Sequence, residues 1–189
     1  MTRSQTDELI RVTAKRLFAK FGYEGISMRI LAQASGVGLS SIYHFFQDKD
    51  VLLKEVYLDT NRKLGQAREA LPPQPTAQRM LEQLIEFQFE HIEDVVYVLK
   101  YYLHFRGDFA ALPTKTLPAK SVLHIEEVVQ KGIVSGEFTV AAKDVASKSK
   151  VVAHTINGYL LEYYPDVPHG AERREMIDDI VSFTMRGLK

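Results

Sequence analysis

The stretch "SGVGLSSIYHFFQDKD", residues 35–50, decides the fold of this chain. Its two glycines, Gly36 and Gly38, raise the question of a phosphate-binding loop. A dinucleotide-binding loop has the pattern G-x-G-x-x-G after a strand, and a P-loop has the pattern G-x-x-x-x-G-K-[ST]. Here Gly38 is followed by "LSS", and the residues before the loop have helical periodicity. Both phosphate-loop interpretations are therefore excluded.

A helix-turn-helix explains the same stretch. The apolar spacing predicts one helix over Met28–Ser35 and a second over Leu39–Phe45. Gly36 then follows the first helix at a position where a left-handed conformation favours glycine. The inward positions are those of Leu31, Val37, Ile42 and Phe45. The outward positions of the second helix hold hydrogen-bonding side chains, as a recognition helix does where it meets DNA. These outward residues are Ser40, Ser41, Tyr43 and His44.

The remaining sequence also has helical periodicity, and no segment alternates apolar and polar residues as a strand would. We predict an all-α protein. A first helix opens at Ser4 and has one apolar stripe: Ile10, Ala14, Leu17, Phe18 and Phe21. A fourth helix runs from Asp48 to about Ala70, and "LPPQPT", residues 71–76, then breaks the chain. Further helices are predicted over residues 77–105 (one long or two abutting), 119–134, 143–164 and 171–187, with a loop over 106–118.

Composition limits the classes of function. The chain has 189 residues, 24 Lys and Arg against 24 Asp and Glu, and no cysteine, so disulfides and thiol chemistry are excluded. Residues 1–46 hold six basic and three acidic residues, a net charge of +3, which leaves −3 for the rest. No segment reads as a signal peptide or a membrane span, so we expect a cytoplasmic protein that does not contact membranes.

Residues 27–53, "SMRILAQASGVGLSSIYHFFQDKDVLL", resemble the DNA-binding domain of the TetR family of transcriptional repressors. Matching residues span about 1–58, and the remainder resembles the family in architecture alone. The resemblance implies a helix-turn-helix domain over residues 1–46 and a ligand-binding and dimerisation domain over 47–189. It also implies a homodimer that binds a palindromic operator in double-stranded DNA and releases it on binding a small-molecule effector.

The resemblance also implies roles for single residues. Ser27, Tyr43 and Lys49 match residues that contact backbone phosphates, while Ser40, Ser41 and His44 match positions that face base edges. Gly38 and Leu39 depart from the family, which often has a hydroxyl cap and a polar residue there. Leu39 could touch a thymine methyl group or pack inside the domain. We therefore expect Arg29, Tyr43 and Lys49 to contribute much of the affinity.

Two further sets of residues are predicted in the C-terminal part. The first set lines a ligand pocket that is apolar with a few polar tips. It comprises Phe87, His91, Tyr97, Tyr101, Phe105, His154, Asn157 and Tyr159. The second set lies on broad apolar stripes of the last two helices and is predicted to bury surface across a two-fold axis. It comprises Val152, Ile156, Leu160, Tyr163, Ile177, Ile180, Val181 and Thr184.

Other functions stay open at this stage. A second hypothesis is a helical enzyme or ligand carrier that uses the aromatic core catalytically, but the sequence shows no nucleophile motif, paired carboxylate or cofactor motif for it. Glu90, His91, Glu93 and Asp94 invite a metal site, but neighbours on a helix point in different directions. We expect no catalysis, metal or cofactor. An activator or an architectural DNA-binding protein has the same sequence features as a repressor.

Overall fold

The computed structural model describes residues 2–109 and 120–189, and within these ranges the chain is helical with no strand. The α-helices, in chain order, are α1 (Arg3–Phe21), α2 (Met28–Ser35), α3 (Leu39–Phe45), α4 (Lys49–Glu69), α5 (Ala77–Glu90), α6 (Ile92–Phe109), α7 (Lys120–Val134), α8 (Val145–Tyr163) and α9 (Gly170–Leu188). A short 3-10 helix, Ala142–Asp144, precedes α8. The all-α prediction is confirmed. Of the predicted loop, residues 106–109 belong to α6, and Pro113, Pro118 and the predicted helix start at Ala119 lie outside the described residues.

The described residues divide into two compact units, one formed by residues 2–67 and 93–109 and the other by 68–92 and 120–189. The first unit contains the predicted helix-turn-helix. Its helices α1, α2 and α3 pack together, and Ile10, Phe18, Leu31 and Ile42 are fully buried or nearly so. The predicted three-helix core is therefore present.

Two aromatic residues that were predicted to lie in that core, Phe45 and Phe21, are less buried than predicted. Phe45 at the end of α3 is half-buried, whereas Phe46, the next residue, is buried. Phe21 is 55% exposed because it is the last residue of α1, where the chain turns away at Gly22. Helical periodicity gives the direction of a side chain within a helix, but it does not tell how far the core extends along the helix axis.

Helix α1 begins before the predicted cap at Ser4. Thr2 is the N-cap, and its side chain accepts a hydrogen bond from the backbone N–H of Gln5 at 3.3 Å. The Gln5 side chain in turn accepts one from the Thr2 backbone N–H at 2.8 Å. This reciprocal pair is a capping box, and it satisfies two backbone N–H groups at the start of the helix.

The second unit is built from α5, α7, α8 and α9, with α7 packed on α5 and α8, and α9 packed on α5. The turn after α7 holds the start of α5. Glu137 in this turn accepts hydrogen bonds from the backbone N–H groups of Ala77 at 3.0 Å and Gln78 at 3.3 Å. The hydroxyl of Ser135 donates a third at 2.7 Å. A carboxylate at a helix N-terminus is favoured by the free N–H groups and the helix dipole.

The long helical segment predicted over residues 77–105 is two abutting helices. Helix α5 ends at Glu90, His91 is its C-cap with a non-helical backbone, and α6 begins at Ile92. Within residues 2–109 and 120–189, no helix is long and apolar enough to cross a lipid bilayer.

Candidate nucleic-acid interface

The turn between α2 and α3 has the geometry that its sequence predicts. Ser27 is the N-cap of α2, and its Oγ accepts a hydrogen bond from the backbone N–H of Ile30 at 3.2 Å. Gly36 ends α2 with φ 68° and ψ 11°, a left-handed conformation. The Ser35 hydroxyl donates to the Leu31 carbonyl at 2.7 Å and accepts from the Val37 N–H at 3.3 Å. The turn is thus fixed by its own short polar side chains.

Helix α3 buries one side and exposes the other. Ile42 is completely buried, whereas Ser40, Ser41, Tyr43 and His44 are exposed. Tyr43 is 51% exposed although it is a large aromatic residue. An aromatic residue with its hydroxyl in solvent, among small hydroxyl groups, suits contact with a phosphate and base edges. Leu39 is half-buried at the first position of α3.

The start of α3 lacks a side-chain cap. Gly38 is the N-cap residue, with φ −57° and ψ 138°, and no side chain accepts from the first N–H groups of the helix. The missing cap is the departure from the family pattern that the sequence shows.

Ser27 and Arg29, at the start of α2, are both exposed. The side chains of α2 that were predicted to contact DNA are therefore accessible to it.

Lys49 has contacts inside the domain that the sequence did not predict. Its Nζ donates to the carbonyl oxygens of Tyr23 and Ile26, both at 3.1 Å, and lies 3.5 Å from the centre of the Tyr23 ring. The ammonium group therefore holds the loop between α1 and α2 against the start of α4. An ammonium group has three N–H donors, so one remains for a phosphate.

Tyr23 extends this cluster to α6. Its hydroxyl donates to Asp50 Oδ1 at 2.5 Å, and its ring stacks on His104 with ring centres 4.0 Å apart. The hydrogen bond to Asp50 raises the pKa of Tyr23 to about 12, so this residue stays neutral and a donor under ordinary conditions. Tyr23 was not among the residues predicted from the sequence, although an aromatic residue between Gly22 and Gly25 was a visible signal.

Arg11 ties α1 to α4. Its guanidinium contacts Asp7 at 2.8 Å and Glu55 at 2.6 Å, and lies 4.9 Å from the centre of the Phe46 ring. Lys15, one turn further along α1, forms an ion pair with Asp94 of α6. Two of the basic residues that give residues 1–46 their positive charge are thus neutralised by acidic residues of the same unit, and Arg29 is left exposed on α2.

The predicted pocket residues are divided between the two units. Tyr97, Tyr101 and Phe105 lie in the first unit; Tyr97 packs edge-on against Phe18, and its hydroxyl donates to the Leu53 carbonyl at 2.6 Å. Burial raises the pKa of Tyr97 well above its ordinary value. In the second unit, Phe87 and His91 pack with ring centres 4.5 Å apart. Three others lie on α8: His154 and Tyr159 are exposed and Asn157 is half-buried.

The predicted interface residues on α8 and α9 are largely buried within the single chain. Tyr163 is half-buried, and the other seven are at most 7% exposed: Val152, Ile156, Leu160, Ile177, Ile180, Val181 and Thr184. Such residues have little surface left to bury against a partner, because the chain's own packing already covers them. The large apolar side chains that these helices leave exposed are Val151, Tyr159 and Phe183.

Val151 and Phe183 line a shallow apolar groove of 260 Å³ between α8 and α9, together with Thr155 and Leu188.

Within the described residues, no group of three or more His, Asp and Glu side chains lies close enough together to hold a metal ion.

Comparison with known proteins agrees with this geometry. Residues 10–56 match the family described as bacterial regulatory proteins, tetR family. The chain is 32% identical over 89 residues to the uncharacterized HTH-type transcriptional regulator YhgD of Bacillus subtilis (strain 168), covering 44% of this chain and 47% of that protein. It is 46% identical over 39 residues to the HTH-type transcriptional repressor Rv1474c of Mycobacterium tuberculosis, covering 21% of each chain. The matches thus span about half of the first relative's length and a fifth of the second's.

Solved structures share the whole fold. A TetR-family transcriptional regulator from Agrobacterium tumefaciens superimposes with a TM-score of 0.73 over 100% of both chains at 16% identity. A TetR-like regulator from Rhodococcus sp. RHA1 gives 0.72 at 14% identity, over 100% of this chain and 98% of that one. The chain thus has an all-α fold with a helix-turn-helix whose helix α3 is exposed. Its residues 10–56 are similar to the tetR family of bacterial regulatory proteins.

Proposed function

We propose that this protein is a transcriptional repressor that binds an operator in double-stranded DNA as a homodimer and releases it when a small molecule binds. The observation that carries the proposal is α3, which exposes Ser40, Ser41, Tyr43 and His44 while Ile42 anchors it. One curated relative of the helix-turn-helix segment is named a repressor. We further propose that the protein acts in the cytoplasm and without catalysis.

The proposed DNA contacts divide into two kinds. Ser27, Tyr43 and Lys49 contact phosphates, with Arg29 adding positive charge, and these contacts position the domain. Ser40, Ser41 and His44 face base edges, with Leu39 at the edge of the interface, and these contacts read sequence. Because α3 exposes few charged groups, a large share of the affinity comes from phosphate contacts and should fall steeply with salt.

The proposed dimer surface is the groove between α8 and α9, with Val151, Thr155 and Phe183 as the residues that a second copy covers. Both large apolar residues are more than half exposed in the single chain. A symmetric helical interface would bury them without exposing polar backbone. To enter successive major grooves, the two α3 helices of such a dimer must lie about 34 to 36 Å apart, one turn of DNA.

The proposed effector response uses α4, which is continuous from the end of the DNA-binding segment at Lys49 to Glu69 before the proline-rich break. A ligand that contacts the last turn of α4 can shift the helix as a body. It changes operator affinity only as far as it binds the two arrangements differently.

The test is selection of bound duplexes from a random DNA library by the purified protein, followed by light scattering of the protein alone. Enrichment of an inverted repeat, with half-sites about one helical turn apart, together with a dimeric mass, supports the proposal. A folded dimer that enriches no sequence would exclude sequence-specific regulation. A monomer that binds one half-site would exclude the symmetric mechanism.

A further inference from the structure

A cleft of 510 Å³ lies in the second unit, where the last turn of α4 and the proline-rich segment face α5 and α7. Its size is in the range of cavities that hold small organic molecules. Apolar side chains form much of its wall. These are Leu71, Pro72, Pro73, Met80 and Leu84.

Arg68, in the last turn of α4, brings a positive charge to this apolar cleft. Its Nε is buried without a hydrogen-bond partner, and within the described residues its guanidinium forms no ion pair. Burial lowers the pKa of Arg68 below its ordinary value, only partly offset by Glu69 and Glu127. Arg68 is half-buried, and a guanidinium nitrogen that has lost water without gaining a hydrogen bond is unfavourable, so a binding partner for this group would be stabilising.

Lys131, His124 and Glu127 of the cleft already have partners. Lys131 Nζ donates to the carbonyl oxygen of Gln74. His124 Nδ1 lies 3.1 Å from a carboxylate oxygen of Glu127. Glu69, exposed, acts on Arg68 through its charge. Among the described residues that line this cleft, Arg68 is the one with a buried side-chain nitrogen that has no hydrogen-bond partner.

We propose that this cleft binds a monocarboxylate with an apolar body, whose carboxylate pairs with the Arg68 guanidinium and whose body packs on the proline-rich segment and α5. The planar guanidinium matches a carboxylate in a two-bond arrangement. Glu69 and Glu127 oppose a doubly charged phosphate more than a single negative charge. The role of this acid as effector rests on the proposed function, whereas its binding does not.

The test uses a panel of acids from butanoate to dodecanoate, with benzoate and naphthoate, each paired with its primary amide. Binding to the full chain is measured by calorimetry in the absence of DNA. We expect acids of the panel to bind more tightly than their amides. Arg68→Gln should weaken acid binding by about tenfold or more, the loss of a charge-assisted hydrogen bond, and should leave amide binding unchanged.

Arg79→Gln is the matched control, because Arg79 is an exposed arginine of the same unit, paired with Glu82 at 2.7 Å outside the cleft. It should leave acid binding unchanged. Without ligand, Arg68→Gln should not lower the melting temperature, since it removes a half-buried charge that forms no ion pair within the described residues. If Arg68→Gln fails to fold, Arg68→Lys keeps the charge without the planar fork and should bind acids with intermediate affinity.

Three results would overturn the proposal: no acid of the panel binds the wild-type chain, an amide binds as tightly as its acid, or Arg68→Gln binds acids as tightly as the wild type. These results are independent of the operator. Arg68-dependent acid binding without any selected DNA site would reject the proposed repressor and keep the cleft. A selected operator whose affinity is unchanged by a bound acid would keep the repressor and reject the acid as its effector.

Discussion

Tyr43 is half exposed on α3, and its contribution to DNA binding can be separated from its contribution to folding. Tyr43→Phe removes one hydroxyl from an exposed side chain, so the free energy of unfolding should change by less than about 0.5 kcal/mol. Affinity for the selected operator should fall roughly tenfold, the value of a hydrogen bond to a charged phosphate. Fluorescence anisotropy with labelled operator measures this. Equal affinity of the variant and the wild type would show that the hydroxyl does not contact DNA.

Gly132, in α7, lies directly against the buried ring of Phe138. A Cβ added at Gly132 would fall 2.0 Å from Cδ2 of that ring. Gly132→Ala should therefore lower the free energy of unfolding by about 1 to 3 kcal/mol, as overpacking does.

The control is Gly65→Ala in α4, where an added Cβ meets nothing within 4 Å. It should raise stability by up to about 1 kcal/mol, because alanine favours a helix interior over glycine. Chemical denaturation of both variants gives the comparison. A stable Gly132→Ala variant would mean that Phe138 has another place in the core.

At the scale of elements, the start of α5 depends on a residue that lies 60 positions away in sequence, Glu137. Its hydrogen bonds to Ala77, Ser135 and Gln78 lower the pKa of the Glu137 carboxyl below its ordinary value. A lowered pKa in the folded state stabilises the protein above the pKa of the unfolded chain, near 4.5, and this contribution disappears as the pH falls through the folded-state pKa.

Glu137→Gln should thus reduce stability near neutral pH by a few tenths to about 1 kcal/mol, as for an exposed carboxylate at a helix N-terminus. The difference from the wild type should close as the pH falls below about 4.5. Glu86→Gln is the control, since Glu86 is exposed on α5 and makes no hydrogen bond within the described residues. Chemical denaturation of the variants and the wild type across this pH range measures the difference in the free energy of unfolding. If the difference for Glu137→Gln persists in acid, the effect comes from packing and not from the charge.

The helices themselves were predictable from the sequence because each one has apolar residues at helical spacing and a visible end signal. Gly36, the aspartate at position 48 and the prolines of residues 72–75 ended or began helices where expected. The cap at Thr2 was visible in the sequence, because Gln5 follows Thr2 at the spacing of a capping box, but the prediction took Ser4 instead. The hydrogen bonds of Glu137 were not predictable, because they join distant segments and periodicity carries no information on such contacts.

At the scale of the whole molecule, the sequence indicated which residues of α3 are exposed better than it indicated which residues of α8 and α9 are exposed. In the short helix α3, the helical period places Ile42 on the buried side. The exposed residues are Ser40, Ser41, Tyr43 and His44. The residues predicted to form the dimer interface on α8 and α9 could not be separated from the core of the chain in the same way. Apolar stripes on α8 and α9 show that the helices are buried, but a stripe cannot distinguish burial within the chain from burial between two chains. Exposure in the folded chain makes that distinction, and on these two helices it leaves Val151, Tyr159 and Phe183 as large apolar side chains that a partner could cover.

Phe183 therefore provides the test of assembly. Phe183→Asp places a charge in the groove between α8 and α9, and it should shift the dimer toward monomer because burying an unpaired carboxylate is strongly unfavourable. Since the proposed operator complex needs two α3 helices about 34 to 36 Å apart, operator affinity should fall with dimerisation, although Phe183 is on α9 and Tyr43 on α3. Val134→Asp is the control, because Val134 is 87% exposed at the end of α7. Sedimentation velocity and anisotropy on the same samples should show both losses for Phe183→Asp and neither for Val134→Asp. A dimeric Phe183→Asp variant would place the two-fold axis elsewhere, and a monomeric variant with full operator affinity would separate DNA binding from assembly.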